Sequence, residues 1–190
     1  KSNQIIKKSS LSKLLECHYK ESLVNQNYEV IDIKASKLLT YNRFDLAFKL
    51  LYLEYKNKDV LFAKDCYNEH IRAFSLGKFI EPGNPKKNNL ERFFKDFDKT
   101  FLNIRSLGFD SSKSLIPLSK NGTISNGSHR VASAIYLNKY VKCVNIDVDD
   151  QIYDYKFFFN RKVPIGFLDI AAIKFVEYAE NIHIAFLWPR

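Results

Sequence analysis

The sequence predicts an α+β fold: a small mixed β-sheet with helices packed against it. Three observations carry that expectation. Residues 28–33 (YEVIDI) and 141–148 (VKCVNIDV) alternate apolar and polar side chains, as strands with one buried face do. Residues 43–55, 60–79 and 90–107 space their apolar residues three and four apart, as helices do. Between 115 and 148 the two patterns interleave as strand, hairpin, helix and strand.

In chain order, residues 1–27 read as an N-terminal arm, helical in part, with Leu11, Leu14, Leu15 and Leu23 giving it an apolar side. A strand follows at 28–33, then a short turn of helix or loop at 35–39. The helix from Arg43 to Tyr55 carries Phe44, Ala47, Phe48 and Leu51 on its apolar side. Asp45 and Lys49 are four apart and are expected to pair on its surface. A second helix lies within Val60 to Phe79, with Tyr67, His70, Ile71 and Phe74 along one side and Gly77 closing it. Together these form an inserted helical segment, 43–79.

Prolines, glycine and asparagines make residues 79–89 a loop. The helix from Leu90 to Leu107 is expected to start at an Asn88 or Asn89 cap and to stop at Gly108. A short strand at 115–118, a turn at Lys120-Asn121-Gly122 and a partner at 123–125 make a ribbon. The next helix runs from His129 to near Asn138. Residues 149–190 read as an aromatic C-terminal extension of the domain 28–148, with a helix at 167–179 and a last strand at 182–188.

Composition narrows the function classes. Hydrophobic residues make up 46%, which fits a globular chain and not a disordered one. No apolar run reaches the roughly 20 residues of a membrane span. The first ten residues lack the apolar core of a signal peptide. Three widely spaced cysteines, Cys17, Cys66 and Cys143, fit a reducing cytoplasm, and no metal-ligand spacing is visible. Methionine is absent altogether, so the chain reads as processed or as part of something longer. A net charge of +9 allows nucleic acid, an anionic membrane surface or phosphorylated small molecules as partners. The lysines are dispersed, with local pairs at Lys7-Lys8 and Lys86-Lys87, and this argues against nucleic acid.

The chemistry concentrates in Ile124 to Ile135, which reads as strand, tight turn and helix. Gly127 can adopt backbone angles that other residues avoid. Asn126 or Ser128 can cap the helix. A helix N-terminus has free N–H groups and the positive end of the dipole, so it suits a phosphate. His129 and Arg130 lie in its first turn. A cation there costs about 0.3–1 kcal/mol unless an anion joins it. Glu81 and Lys87, on the preceding loop, are free to face a ligand. Arg161, after the aromatic run, can reach an anionic substrate. His70 and His183 read as structural, and Trp188 as core.

In this order, the loop, the long helix ending in Gly108-Phe109-Asp110, Leu115-Ile116-Pro117-Leu118, the hairpin, Asn126-Gly127-Ser128-His129-Arg130 and the strand at 141–148 resemble the ParB/sulfiredoxin-like superfamily. The chromosome-partitioning members bind CTP at the equivalent turn with arginines and a glutamate. Here Ser128-His129-Arg130 stands there, and no helix-turn-helix pair follows. Sulfiredoxins place a cysteine before the His-Arg pair, where this chain has Ser128. The free-serine kinases are most similar, with a glutamate before the long helix and Asp-Gly-His-His-Arg after the hairpin. Glu81 and Gly127 to Arg130 match that pattern, with Asn126 replacing the aspartate. The wider layout is similar to ParB-like domains of bacterial surface-polysaccharide assembly proteins.

That resemblance implies phosphoryl transfer from ATP (or ADP) with Mg2+ to a hydroxyl of a small polar, sugar or glycan acceptor. Glu81 would be the base, and His129 would bond a phosphate oxygen or donate a proton. Asn126, Gly127, Ser128, His129 and Arg130 would hold the nucleotide phosphates, and Lys87 and Arg161 the substrate. No protein metal ligands are implied. The alternative is a ParB-like nucleotide- or nucleic-acid-binding module without catalysis.

Overall fold

Four strands, β1 (Gln4–Lys7), β2 (Asn27–Lys34), β3 (Ile116–Leu118) and β4 (Tyr140–Asn145), form one mixed sheet ordered β1-β2-β4-β3. The computed structural model describes residues 4–80 and 87–180. β1 runs antiparallel to β2 and β2 antiparallel to β4, with Val30 opposite Val144, while β3 runs parallel to β4, with Ile116 opposite Cys143. Among the described residues seven α-helices accompany the sheet: α1 (Lys8–Leu11), α2 (Asp45–Tyr55), α3 (Val60–Phe74), α4 (Leu90–Leu107), α5 (Ser128–Tyr136), α6 (Tyr155–Asn160) and α7 (Ile165–Tyr178). The expected α+β class with a small mixed sheet is what forms.

Period-two alternation splits the strands between two cores. Ile31, Ile33, Val141 and Cys143 belong to the large core with the helices. Tyr28, Val30 and Val144 join Leu11, Tyr19, Leu23, Leu115 and Ile146 in a smaller one. Within the large core α2 is central. Every residue from Asp45 to Leu53 is buried, because α3, α5 and α7 all pack against it.

Several expectations change. The N-terminal arm begins as a strand, since Ile5 and Ile6 are β-branched and pair with Glu29 and Tyr28. The ribbon at 115–125 shrinks to β3 and a single bridge between Leu118 and Ile124, with Ser119 N donating to Thr123 O at 2.8 Å. α3 ends one residue before the expected closure point. Leu76 takes the left-handed position (φ +52°) and the Gly77 amide donates to Arg72 O at 2.8 Å. α4 has its expected bounds: Asn89 Oδ1 accepts from Arg92 N at 3.0 Å, and Gly108 follows at φ +78°. α6 is new, started by Asp154, whose carboxylate accepts from Phe157 N at 2.8 Å.

The expected Asp45–Lys49 pair forms at 2.9 Å but is not on the surface; its side chains are 1% and 3% exposed. The three cysteines are free, and burial pushes the Cys66 and Cys143 thiols up to about 12. Among the described residues no helix is long and apolar enough to cross a membrane. The expected strand at 182–188, with His183 and Trp188, lies outside the described residues.

Candidate functional site

Gly127 holds the N-cap position of α5 at φ +89°. The conformation favours glycine, and a Cβ there, 2.7 Å from Ile116 Cδ1 and 2.8 Å from an Arg130 guanidinium nitrogen, would also push those side-chain ends aside. With glycine as the cap residue there is no side-chain cap, so neither Asn126 nor Ser128 has the expected capping role. The amides of Ser128, His129 and Arg130 have no acceptor among the described residues. The positive end of α5 is therefore open.

A cavity of about 580 Å³ opens at this turn, with Ser125 to His129 on its wall. Arg43, Lys49, Tyr67 and His70 contribute from the helical segment 43–79, and Glu16 to Tyr19 from the N-terminal residues. Beneath it lies a buried ionic network. Arg43 donates through Nε to Asp45 Oδ1 at 2.7 Å, through Nη2 to Asp45 Oδ2 at 2.9 Å, and through Nη1 to the Ile124 carbonyl. Lys49 Nζ donates to Asp45 Oδ2 at 2.9 Å, to Asp45 O at 3.4 Å and to His70 Nε2 at 3.2 Å. Those three bonds use all of its N–H groups, so Lys49 acts as a fixed ammonium and not as a nucleophile.

Because His70 Nε2 accepts from Lys49, its proton resides on Nδ1. That atom and Ser125 Oγ are buried without a partner among the described residues. The His70 ring stacks between Tyr67 and Phe74, with centroids 5.5 and 5.8 Å away. His129 stacks on Phe97 at 4.5 Å, and its Nε2 lies 2.5 Å from the Tyr67 hydroxyl.

Burial, reinforced by the Lys87 and Lys49 charges, holds His129 well below its ordinary value; burial and Lys49 do the same for His70. Burial would raise the Asp45 carboxyl, but Arg43 and Lys49 overcome it and hold it well below the carboxylate range. Both histidines are thus neutral at pH 7. Arg43 and Lys49 share the Asp45 carboxylate, and Glu16 also lines the cavity. Open amides, neutral imidazole rings and the fixed Arg43 and Lys49 side chains suit a compact anion such as a phosphate.

The expected residues divide. Asn126, Gly127, Ser128 and His129 line the cavity. Arg130 does not: consecutive helical residues point about 100° apart, and its guanidinium turns into a neighbouring cleft, donating to Leu115 O at 3.3 Å. Lys87 is buried, with Nζ 4.5 Å from the Phe93 ring centre, and reaches His129 through its field. Arg161 lies 3.5 Å over Phe157 and does not line the cavity. Glu81 is outside the described residues, although Ile80 before it lines the cavity. Sequence reasoning missed Arg43, Lys49, Tyr67 and the 16–19 segment, and took His70 as structural only. One signal was present: three charged residues, Arg43, Asp45 and Lys49, in the otherwise uncharged run 43–53. Among the described residues no three His, Cys, Asp or Glu side chains cluster to hold a metal. Comparison with protein-family models, curated proteins and solved structures finds no match for this chain.

Proposed function

We propose that this chain is a nucleotide-dependent, kinase-like phosphotransferase with a ParB/sulfiredoxin-like core. It would move a phosphoryl group from ATP (or ADP) to a hydroxyl of a small polar or sugar acceptor, as in bacterial surface-polysaccharide synthesis. The observation that supports it is the histidine-bearing cavity, with Arg43 and Lys49 in its lining, at the open N-terminus of α5.

Phosphoryl transfer depends on positioning and on prearranged positive charge. The amides of Ser128 to Arg130 and the His129 ring would hold phosphate oxygens. Arg43 and Lys49, fixed by Asp45, would supply charge without reorganising. Glu81 is the proposed base for the acceptor hydroxyl. Mg2+ would enter on the nucleotide phosphates, which supply most of its oxygen ligands.

One observation favours a binding module without catalysis. Among the described residues lining the cavity the one acid is Glu16, whose side chain is 57% exposed. Melting curves with ATP, ADP, CTP and GTP, with and without Mg2+, test binding. A nucleotide at 100 times its Kd should add about 2.7 kcal/mol of stability. His129→Ala should weaken that shift. Glu81→Gln should keep it while lowering turnover by about 10²–10⁴-fold. Full turnover in Glu81→Gln would remove Glu81 as base, and binding without any transfer would establish the module.

A further inference from the structure

The cleft that receives Arg130 has a volume of about 390 Å³. Its polar lining includes Lys13, Glu16, Tyr19, Lys113, Asn126 and Arg130. Lys113 is answered by Asp110 at 3.0 Å. Arg130 is not answered in this way. Its hydrogen bond goes to a backbone carbonyl, that of Leu115, and among the described residues no carboxylate lies within ion-pair distance of it. Glu16 acts on it only from further away, and the Glu16 carboxylate lies 3.6 Å from His18 Nδ1. A half-buried guanidinium thus keeps most of its five donors unused. It also stands at the positive end of a helix, where a cation is disfavoured. An anion in the cleft relieves both conditions.

We propose that this cleft is a second binding site, taking an oxyanion (the carboxylate or phosphate of a small molecule) held by Arg130 with Lys13. Its ligand is distinct from that of the His129 cavity. Asn126, Tyr19 and Glu16 line both spaces, so two bound molecules would face each other across one thin wall. If the phosphotransferase reading holds, this is where an anionic acceptor docks beside the nucleotide. The site itself does not depend on that reading.

Calorimetric titration of the whole chain with malonate, and separately with inorganic phosphate, tests it. Both probes are repeated with the nucleotide that gives the largest melting shift. Arg130→Gln should weaken the oxyanion by about tenfold or more, since bonds to a charged group carry that much. Arg130→Lys should fall in between. Glu16→Gln, which removes the competing carboxylate, should tighten binding several-fold. Saturating nucleotide should leave the Arg130-dependent binding of each probe unchanged.

The proposal is overturned if neither probe binds once nucleotide fills the α5 cavity, if Arg130→Gln binds as the parent does, or if malonate and nucleotide compete for one site. Should Arg130→Gln fail to fold, Glu16→Gln decides, and an unchanged affinity refutes the site. Preference for malonate identifies a carboxylate ligand, and preference for phosphate a phosphate one. Probe binding with no nucleotide binding would end the phosphotransferase reading and leave this site standing.

Discussion

Helices α2 and α4 each carry an oppositely charged pair four residues apart, in very different settings. In α4 Arg92 and Asp96 meet at 3.2 Å with side chains 46% and 32% exposed. In α2 Asp45 and Lys49 meet at 2.9 Å inside the protein. The cause is the surroundings of each helix. α4 buries one stripe, through Phe93, Phe97, Phe101 and Ile104. α2 is covered on all sides from Asp45 to Leu53, so Asp45 and Lys49 are enclosed with the rest. Water and salt weaken the outer pair to a small contribution. The inner pair cannot lose one member without stranding the other in a medium that solvates it poorly. Identical spacing thus gives a solubilising detail in one helix and the rigid base of a cavity in the other.

The sharpest way to break this contrast is Asp45→Ala. It leaves Arg43 and Lys49 uncompensated and should cost about 3–5 kcal/mol in urea unfolding. A loss below about 1 kcal/mol would mean that the α2 ions do not act together.

Acidification should have an intermediate effect. His70 and His129 are held well below their ordinary value in the folded chain, first by burial and then by nearby lysines. Unfolded histidines titrate near 6.5. Below that pH the unfolded state binds more protons, so the histidine contribution is complete above about pH 6.5 and is lost as pH falls. Asp45, also held low, adds a loss of the same sign below about pH 4. The urea midpoint should fall between pH 7 and pH 5, and His70→Gln should make that fall shallower. A flat profile in the parent would contradict the neutral, buried state of both rings.

The smallest effect belongs to Asp96→Asn, which should shift stability by no more than about 0.5 kcal/mol. A loss above 1 kcal/mol would erase the difference between the two helices.

What could be read from the chain alone follows from how local the controlling physics is. α4 was legible to the residue because its ends are chemical signals, an asparagine that accepts an amide and a glycine at positive φ. The Gly127 turn was legible for the same reason. α2 was legible as a helix but not as the centre of the core, since that depends on α3, α5 and α7 arriving from elsewhere in the sequence. β1 was missed because four residues carry little periodicity and its partner lies more than 20 residues away. His129 and Arg130 were expected to serve one ligand. Their divergence depends on helical geometry and on where neighbouring cavities happen to open. The contribution of Lys49 and His70 came from tertiary packing that no spacing rule contains.

The Tyr19 hydroxyl donates to the Ser125 carbonyl at 2.9 Å, across 106 positions of sequence. Anyone trimming the protein to start at the second strand would cut away this tether. The shortened chain would lose a partition shared by two chambers and would uncover a sheet margin prone to sticking to its neighbours.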